Sequence, residues 1–81
     1  MNEYEFNYEM ASVMRTVWLS YWFNDGDIKK VQTTCKKLRK KVTHASIRKL
    51  LMTWIKLKDP TPQINAMFLH ALDMEALEYY V

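Results

Sequence analysis

Three observations predict an all-α fold, a small bundle of about four helices. Hydrophobic residues make up 49% and aromatics 14% of the chain, enough to build a core and well above what disorder tolerates. One glycine and two prolines leave almost none of the turn punctuation that a multi-stranded sheet needs. Apolar residues recur at spacings of three and four through most of the chain. The expected helices cover approximately 3–23, 28–42, 44–58 and 62–79. All four belong to one domain, 1–81. A chain this short buries only about 60–65% of the surface its unfolded form exposes, so association with a second chain would help it.

The first element has two readings. Residues 3–10, Glu-Tyr-Glu-Phe-Asn-Tyr-Glu-Met, alternate polar and apolar as a strand does. No other segment offers a partner strand, and a lone strand leaves its backbone unsatisfied. Read as a helix, the same residues join a longer pattern: Tyr4, Tyr8 and Ala11 in one row, and Phe6, Met10, Val13, Met14, Val17 and Tyr21 in another. Glu3, Glu5 and Glu9 suit a helix N-terminus. Near its end this helix is apolar in nearly every direction, so it must be central to the bundle or covered by a second chain. Asn24-Asp25-Gly26-Asp27 is the strongest turn in the sequence, and Asp25 or Asp27 can cap the second helix.

In the second helix Ile28, Val31, Cys35, Leu38 and Val42 form a narrow apolar stripe, with lysines opposite and Arg39 flanking the buried seam. Val42-Thr43-His44 breaks the register, and Thr43 is a candidate N-cap for a third helix built on Ile47, Leu50, Leu51, Trp54 and Ile55. With neither Gly nor Pro at that junction, a single kinked helix from 28 to 58 is the alternative. Asp59-Pro60 ends the segment, and Thr61-Pro62 opens the last helix with Thr61 as N-cap.

Charge is unevenly distributed along this framework. Between Lys29 and Lys58 lie eleven of the twelve basic residues and no Asp or Glu, whereas each flank carries a net charge of −4. The overall +3 hides this segregation. A positive block without internal acids calls for an anionic partner. Lysines at 36/40 and 37/41 are like-charge i,i+4 pairs, which cost an isolated helix a few tenths of a kcal/mol each. Two ordinary explanations compete: a solvated surface, or compensation by the acidic ends, Glu75, Glu78 or the N-terminal glutamates, folding over the block.

The candidate anionic-partner residues are Lys29, Lys30, Lys36, Lys37, Arg39, Lys40, Lys41, Arg48 and Lys49. Nucleic acid is the first expected partner. Lysine acts as a point charge rather than a bidentate base reader, which favours backbone contacts of low sequence specificity. The alternative is a protein-binding regulator or inhibitor docking on an acidic protein surface. One form of it is a phage or viral accessory protein acting on a host protein or on lysis control. Nine Lys against three Arg fits the AT-rich coding of many phages. A weaker third reading is peripheral contact with anionic lipid through 47–58, a basic amphipathic segment around Trp54. The ordinary place for Trp54 in so small a bundle is the core. Tyr4, Tyr8, Trp18, Tyr21 and Trp22 exceed what one short helix usually buries; core packing is their default, and a homodimer or partner surface the alternative.

Catalytic and metal chemistry find no motif. Cys35, His44 and His70 match no standard ligand spacing, and neither a glycine-rich phosphate loop, a nucleophile motif nor a paired-carboxylate constellation occurs. The expectation is a non-enzymatic protein without cofactors. The longest apolar run, 17–23, is far shorter than the roughly 20 residues of a membrane span. A single cysteine, and an N-terminus read as lacking a signal peptide, suggest a reducing, cytoplasmic setting.

Overall fold

The computed structural model describes the backbone of residues 3–73 and the side chains of residues 3–69. Within those limits it is all-α: α1 Glu3–Phe23, α2 Ile28–Lys41, α3 Ala45–Lys56 and α4 Thr61–Asp73. The strand reading of 3–10 and the single kinked helix of 28–58 are thereby set aside. The expected continuation of α4 to residue 79, the compensating acids Glu75 and Glu78, and the side chain of His70 lie outside the described residues.

α1 closes with a Schellman arrangement. The Gly26 N–H donates to Tyr21 O at 2.8 Å and the Asp25 N–H to Trp22 O at 3.2 Å. This closure holds Asp25 at φ 52° and Gly26 at φ 75°. Glycine suits the second position, where an added Cβ would meet the Tyr21 ring at 3.4 Å. The first left-handed position is taken by Asp25, one of the few residues with a side chain that tolerates it.

Asp27 then caps α2, its carboxylate accepting from the Lys29 and Lys30 N–H groups at 3.1 and 3.4 Å. α2 ends one residue before the expected boundary because Val42 turns extended, at ψ 134°. α4 starts earlier than expected. Asp59 accepts from the Thr61 N–H at 3.0 Å, and the Ile64 N–H already bonds to Pro60 O at 3.0 Å. Thr61 is therefore inside the helix and not its cap.

Helix α3 has no side-chain cap of its own. His44 occupies the N-cap position without a capping bond, where the sequence pattern predicts Thr43. Both ends are instead closed by other helices. At the N-terminus the Glu9 carboxylate of α1 accepts from the Thr43 N–H and hydroxyl, both at 3.0 Å, and from the His44 N–H at 3.0 Å. An anion there also suits the positive end of the helix dipole. At the C-terminus the Gln32 amide of α2 donates to the carbonyls of Trp54, Ile55 and Leu57 at 3.0, 3.1 and 2.7 Å. Carbonyls at a helix C-terminus lack partners further along the helix, so Gln32 satisfies what α3 cannot.

The core takes side chains from all four helices: Val13, Met14 and Val17; Val31 and Cys35; Ile47, Leu51 and Trp54; Ile64 and Met67. α2 packs on α3, and α1 packs on both α2 and α4, so α1 and α2 are the two inner members of the chain of contacts α4–α1–α2–α3. A hydrogen bond of 2.8 Å between the Ser20 and Thr34 hydroxyls ties α1 to α2. Trp54 is only 4% exposed, so the aromatic anchor that a lipid-binding α3 would need is part of the core.

Candidate anionic-partner face

The packing of α2 decides where its charges go. Val31 and Cys35 are buried and Leu38 is half-buried, whereas Lys29, Lys30, Lys36, Lys37, Lys40 and Lys41 are all exposed. At about 100° per residue the six lysines fall within an arc of about 140° on the side away from the core. Among the described residues no lysine of this arc is ion-paired; the one bridge found joins Glu9 to His44. Glu9, one of the acids expected to compensate the block, is committed to the α3 cap.

The remaining candidates have separate settings. Arg39 lies roughly 120° round the helix from the centre of the lysine arc. It is half-buried, and its Nε is enclosed without a hydrogen-bond partner among the described residues. Arg48 is half-buried on α3, its guanidinium Nη1 donating to Val42 O and Thr43 O, each at 2.9 Å. It closes the α2–α3 connection from within. Lys49 is exposed on the outer side of α3 with Lys56. Sequence spacing sets Arg39 beside the seam, and contacts between helices then commit Arg48 to the α2–α3 connection. Of the hydroxyls near the face, Thr34 is bound to Ser20, Thr43 to Glu9, and exposed Thr33 donates to Lys29 O at 3.0 Å.

Titration reflects the same contacts. Partial burial raises the Glu9 pKa, but the bonds from Thr43 and His44 outweigh it and hold the carboxyl down to about 2. Ionised Glu9 can only accept, so the 2.6 Å contact with His44 Nδ1 assigns the shared proton to the imidazole. Burial pushes the Cys35 thiol up to about 11, the opposite of an activated nucleophile.

A carboxylate–imidazole pair is the orienting half of a nucleophilic triad. Here it works differently. The His44 ring is buried with its edge against Phe6, centroids 5.4 Å apart, and Nε2 is enclosed without a partner among the described residues. No described hydroxyl or thiol is hydrogen-bonded to Nε2 to be activated by it. The shallow groove of about 460 Å³ beside the pair is lined by Tyr4, Glu5, Tyr8, Glu9, Thr43 and His44. Of these, Glu9, Thr43 and His44 are bonded to one another. Among the described residues no group of three or more His, Cys, Asp or Glu side chains could hold a metal ion. Nor is any described helix long and apolar enough to cross a membrane.

The aromatic candidates divide in two. Trp18 and Tyr21 are half-buried: Trp18 stacks on Phe68 of α4 with centroids 4.0 Å apart, and on Tyr21 at 5.6 Å. Tyr4, Tyr8 and Trp22 are exposed, and Leu19 and Phe23, absent from the sequence-derived interface, are exposed beside them. The signal for these two was their position on α1, on the side away from Val13 and Val17.

The chain matches no protein-family model, and neither the curated proteins nor the solved structures contain a significant match to it.

Proposed function

We propose that this chain is a small, non-catalytic binding protein that lays the lysine face of α2 against the sugar–phosphate backbone of duplex nucleic acid. The observation that carries the reading is the arc of six exposed lysines, none of them ion-paired among the described residues. Like charges at 36/40 and 37/41 work against the helix, and an anionic partner relieves them. From Lys29 to Lys41 the arc runs about 18 Å, which spans about six phosphates of one duplex strand.

The side-chain chemistry narrows the mode of binding. Lysine neutralises phosphates without reading bases. α2 contains no aromatic residue, and single-stranded binding draws much of its affinity from stacking on aromatics. Duplex backbone contact of low sequence specificity is what this face can do. The setting is then intracellular, where a lone buried thiol is also at home.

Binding to an unrelated DNA duplex and an RNA duplex, followed by fluorescence anisotropy across a salt series, tests the proposal. The expected slope of log K against log salt is about −5 for six engaged phosphates. Lys36, Lys37, Lys40 and Lys41 replaced together by Gln should bring binding close to zero while the circular dichroism stays helical. Failure to bind either duplex at low salt would refute the nucleic-acid reading and leave the face to an acidic protein surface.

A further inference from the structure

The solvent side of α1 carries one continuous stripe. Beyond Glu3, its exposed residues are Tyr4, Glu5, Tyr8, Ser12, Arg15, Leu19, Trp22 and Phe23. At about 100° per residue they fall within an arc of about 100° that runs the whole helix. Tyr4, Tyr8, Leu19, Trp22 and Phe23 are 57%, 50%, 43%, 66% and 75% exposed. Charged residues on this stripe are few, and the apolar ones sit toward both ends with Ser12 and Arg15 between them.

We propose that this stripe is the interface of a symmetric dimer in which α1 packs antiparallel against α1 of a second copy. A two-fold interface must be complementary to itself under reversal. Aligning the two helices about the midpoint of Ser12 and Arg15 places Tyr4 against the partner's Phe23, Tyr8 against the partner's Leu19, and Ser12 against the partner's Arg15. Glu5 meets the partner's Trp22 beside the Tyr4–Phe23 pair, its carboxylate left at the open edge of the stripe. Any evenly spaced stripe is symmetric in position; the chemistry is what selects this register. Tyr4 with Phe23 and Tyr8 with Leu19 are apolar pairs, and the polar pair falls on the axis, where the Ser12 hydroxyl can accept from a guanidinium.

Charge sets the orientation. In a parallel pair Glu3 and Glu5 of one copy would lie beside the same acids of the other, a direct like-charge contact. The antiparallel pair moves them to opposite ends, about 30 Å apart along a helix of 21 residues, and opposes the two helix dipoles. The area is of the right order. At about 150–250 Å² for each large side chain, the five apolar residues offer roughly 500–600 Å² per copy. A standard interface takes about 800 Å² from each partner, so the stripe supplies an apolar core that its polar neighbours complete. None of the α2 lysines belongs to it.

Sedimentation equilibrium of the full chain, from micromolar to millimolar concentration, should give twice the 9.8 kDa chain mass. Leu19→Lys and Tyr8→Lys should each raise the dissociation constant roughly tenfold or more with helicity unchanged. Ser12→Cys chains mixed with an equal amount of Arg15→Cys chains, oxidised under mild conditions, should yield a dimer with residue 12 of one copy linked to residue 15 of the other, mapped by mass spectrometry. Buried Cys35 stays out of this reaction. A monomer at every concentration would overturn the proposal, as would unchanged association of a folded Leu19→Lys protein. Links between residue 12 and residue 12, or no link at all, would overturn the register even if a substitution proved to unfold the chain. A monomer that still bound duplex would leave the lysine reading of α2 untouched, so the two proposals fail separately.

Discussion

Among the described residues Glu9 makes more hydrogen bonds to distant parts of the chain than any other side chain, because one carboxylate closes the start of α3 and holds His44. Its substitution by Gln removes the charge from four contacts and should destabilise the fold by about 2 kcal/mol in urea unfolding, the scale of hydrogen bonds to a charged group. The pH dependence has a definite sign. The folded-state pKa of about 2 lies below the ordinary 4.5, so the stabilisation is present above about pH 4.5 and disappears as pH falls toward 2. Urea midpoints measured between pH 6 and pH 2 should fall more steeply for the natural chain than for Glu9→Gln. Asp25 offers the opposite test. It occupies a left-handed position at φ 52°, where glycine has no steric penalty, and Asp25→Gly should stabilise by about 0.5–1 kcal/mol in thermal unfolding. An unchanged or lowered melting temperature would show that the carboxylate contributes there in another way.

At the scale of the element, α2 sets stability against charge. The Asp27 cap and the core contacts of Val31 and Cys35 hold the helix, while Lys36–Lys40 and Lys37–Lys41 oppose it. Lys36→Glu together with Lys37→Glu turns both repulsive pairs into favourable ones, with Glu on the N-terminal side of each lysine. Stability at low salt should rise by about 1 kcal/mol in chemical denaturation while duplex binding is lost. α3 shows what sequence cannot supply at this scale. Local pattern predicts a helix over 44–58 with Thr43 as its cap; α3 instead spans Ala45–Lys56, with caps lent by Glu9 and Gln32 from more than twenty residues away. No local pattern marks a glutamate of α1 as the cap of a helix 35 residues away.

At the scale of the whole molecule, α1 contributes one side to the core and carries a long exposed apolar stripe on the other. Its inward side packs on α2 and α4; its outward side remains exposed. The lysine arc of α2 is a second surface, distinct from that stripe in residues and in chemistry. The all-α class, the ends of α1 and the opposition of lysines to the apolar stripe of α2 were legible in the sequence, because they depend on periodicity and on turn chemistry within a few residues. The sequence set Arg39 beside the buried seam, but it could not show that Arg48 is spent on the α2–α3 connection, nor separate Leu19 and Phe23 from the core. Each of those distinctions depends on which helix lies against which, and so on contacts between residues far apart in the chain. What the sequence determined by itself was the set of helices and the sign of their faces; the tertiary structure alone decided which charges are left to solvent, because burial and capping are properties of packed pairs of helices.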